Sequence, residues 1–286
     1  MRIFYLPIIL LVISVSSVSA SGFSGKVQPI LSPVYGKILS IDKSNFKKNI
    51  NSKVGSRENQ QIMTGILERK PDPNGGFLVI YSVKMAGNTI SMAIKLNQSG
   101  HFNGLRKLSV NGEIKIGREI ENFPQYKIFS SLGKAFIQAV VIPFIHERGV
   151  KTGTHLPFVN ISVAPRQRLT LRGVVKGMTD YKGNRAVVID YDDSEMSING
   201  IDLSLDGYGL YLLDIGILVE SFTEADVVIK GQFIKVKEVM NLNINLPKPK
   251  DNEIETKLEK LKKLLDMGLI SEDEARTKRK EILDNL

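Results

Sequence analysis

Ser131-Leu132-Gly133-Lys134 sets a hydroxyl and an amine three residues apart, and Lys151-Thr152-Gly153 follows shortly afterwards. On a helix that spacing puts Ser131 and Lys134 on one face, where a lysine can activate a serine for acyl-enzyme chemistry. That chemistry also needs a Ser-Asp-Asn element and a long α/β stretch between the two motifs. Neither is present, so the pair reads as coincidence. The acidic run Asp190-Tyr191-Asp192-Asp193-Ser194-Glu195 is dense enough in carboxylates for a hard cation. It lacks the glycine that turns a calcium loop and reads as an acidic strand end. His101, His146 and His155 share no metal-binding spacing, and His146, beside Glu147 and Arg148, is expected at the surface. No Gly-x-Ser-x-Gly elbow, phosphate loop or His-Glu-x-x-His occurs. The expectation is a non-enzyme with no catalytic, cofactor-binding or metal residues.

The chain that must carry any site has 286 residues and a formal charge of +9. It contains 42% hydrophobic residues, enough for a buried core. The absence of Cys excludes disulfide frameworks, thiolate zinc sites and Cys-anchored lipid attachment. Arg2, the apolar run Ile3–Val15 and the small residues Val18-Ser19-Ala20 form a secretory signal pattern. The apolar run is shorter than the ~20 residues a membrane span needs. Cleavage after Ala20 is therefore expected, giving a periplasmic or secreted protein. Without that segment, and setting aside the net −2 of Asp251–Leu286, the stretch Ser21–Lys250 carries +10. Such a surplus favours anionic or amphiphilic envelope components as partners. Nucleic acid is excluded by export and by the lack of basic residues interleaved with aromatics.

Residues 21–61 are rich in Ser, Gly, Pro, Lys and Asn and read as an extended leader, with at most a short strand at Lys37–Ile41. Residues 62–246 read as a β-rich body. Apolar runs at Ile62–Glu68, Phe77–Lys84, Thr89–Leu96, Leu105–Val110 and Glu113–Ile116 are punctuated by turns, Asn111-Gly112 the clearest among them. Phe129, Leu132, Phe136 and Val140 have helical spacing, predicting a half-buried helix over Ile128–Val140 that Pro143 closes. Pro157 and Pro165 mark a crossing segment. Strands are then predicted at Leu169–Lys176, Arg185–Tyr191, Tyr208–Asp214, Ile217–Thr223, Ala225–Ile229 and Phe233–Leu246. This spacing predicts an antiparallel meander of barrel or sandwich type. A shift of 108 positions lays Gly65 on Gly173, Asp72 on Asp180, Gly75 on Gly183 and Val79 on Val187. Residues 62–127 and 169–246 are thus either two related modules or two hairpins that reuse the same turn residues.

After the linker Pro247-Lys248-Pro249-Lys250, Ile254, Leu258, Leu261 and Leu265 form a helical stripe. Gly268 stands where a left-handed cap belongs, and Ser271 with Glu274 forms a capping box for a second helix bearing Ala275, Ile282, Leu283 and Leu286. Two helices this short gain little from burial alone and need a further surface. The run Gly268-Leu269-Ile270-Ser271-Glu272-Asp273-Glu274, with the flanking lysine- and leucine-rich helices, resembles the SHOCT (short C-terminal) domain. It departs from that pattern at Ala275, usually aromatic, and at Arg279, usually Lys. The resemblance covers residues 251–286 and implies oligomerisation or tethering. The residues expected to carry it are Ile254, Leu258, Leu261, Leu265, Leu269, Ile270, Ile282 and Leu283. The combined reading is an exported bacterial envelope protein, binding or structural, that associates with itself or with another envelope protein. The alternative is a carrier of a lipid-like ligand in a β-lined cavity.

Overall fold

A computed structural model describes residues 23–54, 56–85, 87–122, 126–164, 167–191, 194–198, 201–229, 232–244, 258 and 260–284. The β body and the C-terminal hairpin are separate compact units. The body is mainly β, as expected. Among the described residues, thirteen antiparallel strands form one open sheet. In chain order these are β1 (Ile41–Val54), β2 (Arg57–Pro71), β3 (Phe77–Met85), β4 (Asn88–Leu96), β5 (Phe102–Val110), β6 (Glu113–Ile116) and β7 (His155–Ala164). They continue as β8 (Gln167–Tyr181), β9 (Asn184–Asp190), β10 (Ser194–Ile198), β11 (Ile201–Leu212), β12 (Ile217–Ile229) and β13 (Gln232–Asn243). Between β6 and β7 lie α1 (Arg118–Glu121), α2 (Tyr126–Val140) and α3 (Pro143–Glu147).

Two meanders, β1–β6 and β7–β13, are joined edge to edge where β13 pairs with β1, from Asn45↔Asn243 to Val54↔Ile234. β9 and β10 share one lane, because both lie between β8 and β11. α2 packs against β5, β7 and β12. β5 and β7 lie at opposite ends of the strand order. A flat sheet would hold them roughly 48 Å apart at about 4.8 Å per strand. A single helix reaches both only because the sheet curls round it. The buried face of α2, with Phe129, Leu132, Phe136, Ile137 and Val140, fills the inside of that curl. Phe136 meets Tyr81 at 4.0 Å between ring centroids, and Tyr81 stacks on Phe46 of β1 at 5.3 Å. Helix and both meanders thus share one core.

The largest departure from expectation is residues 41–61. They are not leader but β1 and the start of β2, at the centre of the sheet. Their polar composition hid the alternation in which Ser44, Phe46, Lys48 and Ile50 point inward. Residues 23–40 dock on the body. Gln28 bridges Met178, Val34 bridges Val150, and the Lys37 N–H donates to the Leu213 carbonyl at 2.7 Å. The segment after Pro157 is strand β7 rather than a crossing. Pro143 does not close α2 but opens α3, after Ile142 takes a left-handed conformation (φ 47°). The two runs split at Glu224 are one strand, β12. Asn111-Gly112 does form the β5–β6 turn, with φ of 49° and 88°, the double left-handed pattern of a type I′ hairpin. The 108-residue shift relates β2–β3 to β8–β9. Gly75 and Gly183 both have positive φ, whereas the intervening loops, 72–76 and 182–183, differ in length.

Candidate functional site

The hairpin is the element that the sequence marked for assembly. Residues 258 and 260–266 are helical, and α4 (Glu272–Asp284) follows. Gly268, at φ 68°, lets the Gly268 N–H donate to the Leu265 carbonyl and the Leu269 N–H to the Leu264 carbonyl, both at 2.9 Å. That is a Schellman C-cap. The Ser271 N–H donates to Glu274 Oε2 at 2.9 Å, and the Glu274 N–H donates to Ser271 Oγ at 3.3 Å. The two bonds complete the expected capping box. The Ser271 backbone and hydroxyl donors hold the Glu274 carboxyl below its usual range.

With both caps in place the turn's backbone is hydrogen-bonded on each side, and three of its apolar side chains are exposed. Leu264, Met267 and Leu269 are 39%, 65% and 62% exposed. Leu258, Leu261, Leu265, Ile270 and Ile282 are half-buried. Ile254 and the Leu283 side chain lie outside the described residues. Leu264 and Met267 were missed by periodicity, because they sit off the stripe that Leu258, Leu261 and Leu265 define. Their nearness to the helix end was the available signal.

Among the described residues, the buried polar clusters that no motif announced include two that tie segments of the body together. In the first, Arg69 is almost wholly enclosed. Its Nε donates to the Leu39 carbonyl at 2.6 Å, its Nη1 to the Gly216 carbonyl at 2.7 Å, and its Nη2 to the Ile215 carbonyl. Burial pushes the guanidinium down to about 10. Beside it Tyr211 Oη lies 2.5 Å from His146 Nε2. Burial raises the Tyr211 phenol and lowers the His146 imidazole, with Arg69 adding to the second effect. The hydroxyl therefore keeps its proton and donates to a neutral ring. His146 is thus not the surface residue expected. The missed signal for Arg69 was its place in the inward alternation Met63, Gly65, Leu67, Arg69. What the cluster does is fasten the N-terminal segment, β2 and the 213–216 turn together.

The second cluster is the ion pair of Lys48 and Glu238, both nearly solvent-free. They lie diagonally across the β1–β13 seam, since Lys48 is opposite Met240 and Ile50 is opposite Glu238. Burial pushes the Lys48 ammonium down to about 7.

Among the described residues no group of histidines and carboxylates is placed to hold a metal ion. Lys134 and Lys151 are exposed, and the Lys151 N–H is taken by Thr154 Oγ1 at 3.0 Å. Asp190 pairs with Lys176 at 2.8 Å, while Asp192 and Asp193 lie outside the described residues. His101 Nδ1 stands 3.5 Å from Glu147. Among the described residues no helix is long and apolar enough to cross a membrane.

These features define a class: an open antiparallel sheet curled round one helix, followed by a doubly capped helical hairpin in a second compact unit. No family model matches the chain, and no curated protein matches it. Among solved structures, a DUF1329 family protein from Desulfovibrio piger ATCC 29098 is similar at a TM-score of 0.28 and 11% identity. The alignment covers 72% of this chain and 87% of that one.

Proposed function

We propose that this protein is an exported, non-catalytic envelope protein whose β body serves as a binding or structural platform and whose C-terminal hairpin joins copies of the chain. The observation that carries this is the exposure of Leu264, Met267 and Leu269 on a turn held by both caps. An exposed apolar tip on a largely charged module is a surface that water disfavours and a second copy would cover. The resemblance of residues 251–286 to SHOCT domains supports the same assignment, as does the signal pattern ending at Ala20. The amphiphile-carrier alternative has less support, because α2 occupies the inside of the curled sheet where such a ligand would sit.

The test is light scattering on the chain exported from a bacterial host, with the intact mass checked for a start at Ser21. The expected mass is a multiple of the monomer. Leu264→Asp with Leu269→Asp should reduce it to the monomer, because each aspartate places a charge in the covered patch. The tyrosine fluorescence of the body should not change. A monomer at high concentration, or a multimer indifferent to both substitutions, would overturn the assembly reading.

A further inference from the structure

The outer face of the sheet's centre has a composition unlike the rest of the molecule. The outward residues of β1 are Asn45, Lys47, Asn49, Asn51 and Lys53, the alternates of the buried set. Registry places further cations and amides beside them. Lys47 is opposite Asn241 on β13 and Thr64 on β2, and Thr64 is opposite Lys84 on β3. Asn51 is flanked by Lys237 and Gln60, and Lys53 by Lys235 and Glu58. The result is a face of alternating ammonium and amide groups, on which Lys47 and Lys53 lie about 20 Å apart at roughly 3.4 Å per residue.

At one end this face dips into a depression of about 430 Å³, lined among others by Asn51, Lys53, Gln60, Lys235 and Lys237. Carboxylates share this face: registry sets Glu58 opposite Lys53, Asp226 opposite Lys235, Glu224 opposite Lys237 and Glu220 opposite Asn241. Glu58 lies 3.6 Å from Lys53, and Glu224 is buried under Lys235 and Lys237. The Lys47 and Lys84 ammonium groups have no hydrogen-bond or ion-pair partner among the described residues, and both residues are exposed. Phe222, on the same face of β12, is stacked on Tyr208 and covered by Lys237. Among the described side chains of these four strands, Ile62 is the one large aliphatic that is strongly exposed.

We propose that this face binds an acidic glycan, pairing its carboxylate or sulfate groups with Lys47, Lys84 and Lys53 and its hydroxyls with the amides of Asn49, Asn51 and Gln60. Amides interleaved with ammonium groups match a ligand that carries hydroxyls between its charges. A membrane surface would call for apolar or aromatic side chains to insert, and nucleic acid for aromatic faces to stack on; the described side chains of this face offer little of either. The site belongs to the β body and is independent of assembly through the hairpin.

The experiment measures binding of a fluorescent polygalacturonate fragment to the full mature chain, with uncharged dextran, phosphatidylglycerol-containing vesicles and single-stranded DNA of equal charge as comparators. Binding to the acidic glycan should weaken steeply with salt. Lys47→Gln with Lys84→Gln removes two unpartnered exposed cations, so the fold stays intact and affinity should fall about tenfold, with a shallower salt dependence. Lys262→Gln with Lys263→Gln removes the same charge from the hairpin and should leave affinity unchanged. Equal loss from both double variants, or no loss from the first, would overturn the assignment. So would binding to vesicles alone, or DNA bound as tightly as the glycan. Assembly is read separately by mass, so either proposal can fail alone.

Discussion

Replacing both members of the seam pair, Lys48→Met with Glu238→Leu, should leave the protein as stable at pH 7 as it was, or more stable by about 1–4 kcal/mol. The two charges lie within the core, and their mutual attraction competes with the cost of taking both out of water. Methionine and leucine fill similar volumes and carry no such cost. Glu238→Leu alone should instead destabilise the body by roughly 3 kcal/mol, because it strands an ammonium in an apolar setting. The pair also has a pH signature. The Lys48 ammonium is pushed down to about 7 in the folded protein, against the ordinary lysine value of 10.5. Between those values the unfolded chain holds a proton that the folded one lacks, so the Lys48 contribution to stability rises with pH. Going from pH 7 to pH 9 gives about 2 kcal/mol from this one group. Other residues titrate as well, so the quantity to measure is the gain of the natural chain over that of the double variant. Urea unfolding followed by tyrosine fluorescence is suited to this, since the last tyrosine is Tyr211 and the signal is blind to the hairpin. A double variant that loses 3 kcal/mol or more, together with identical pH slopes in the two proteins, would refute the reasoning.

Three further outcomes follow from the caps and the buried cluster. Arg69→Met should cost about 3 kcal/mol by leaving the carbonyls of Leu39, Ile215 and Gly216 short of a donor; limited proteolysis should then cut within residues 23–40 faster than in the natural chain. Because the folded His146 imidazole lies below its unfolded value of about 6.5, stability should decline as pH falls through 6.5 towards the folded value, and His146→Phe should flatten that decline in acid titrations of urea midpoints. Gly268→Ala should weaken the hairpin by about 1 kcal/mol through its left-handed backbone, with faster amide exchange in α4 and an unchanged body.

The helical hairpin was legible almost residue by residue, because caps are local. Gly268, Ser271 and Glu274 act within one turn of themselves, and no distant contact is needed to place them. The same holds for Asn111-Gly112, whose left-handed preference makes the β5–β6 turn, and for the apolar spacing of α2. Boundaries slipped where a strand's polar stretch carried no apolar alternation, as at Arg57–Gln61 of β2. His146 was misplaced because its neighbours Glu147 and Arg148 are polar, while its ring meets Tyr211, sixty-five residues away in sequence.

Composition and periodicity by themselves determined the β-rich class, the separate hairpin and its caps, since each depends on residues close in the chain. Only the tertiary structure decided that 41–54 is the central strand. Its partner β13 is nearly the whole body away in sequence, and pairing at that range is selected by which face reaches the core. The same closure decided the buried roles of Lys48, Glu238 and Arg69, and left Lys47 and Lys84 on the surface. Alternation along a strand separates inside from outside, but the seam chooses which alternate is which: Lys47 and Lys48 are adjacent and chemically identical, and the β1–β13 register alone sends one to water and the other to the core.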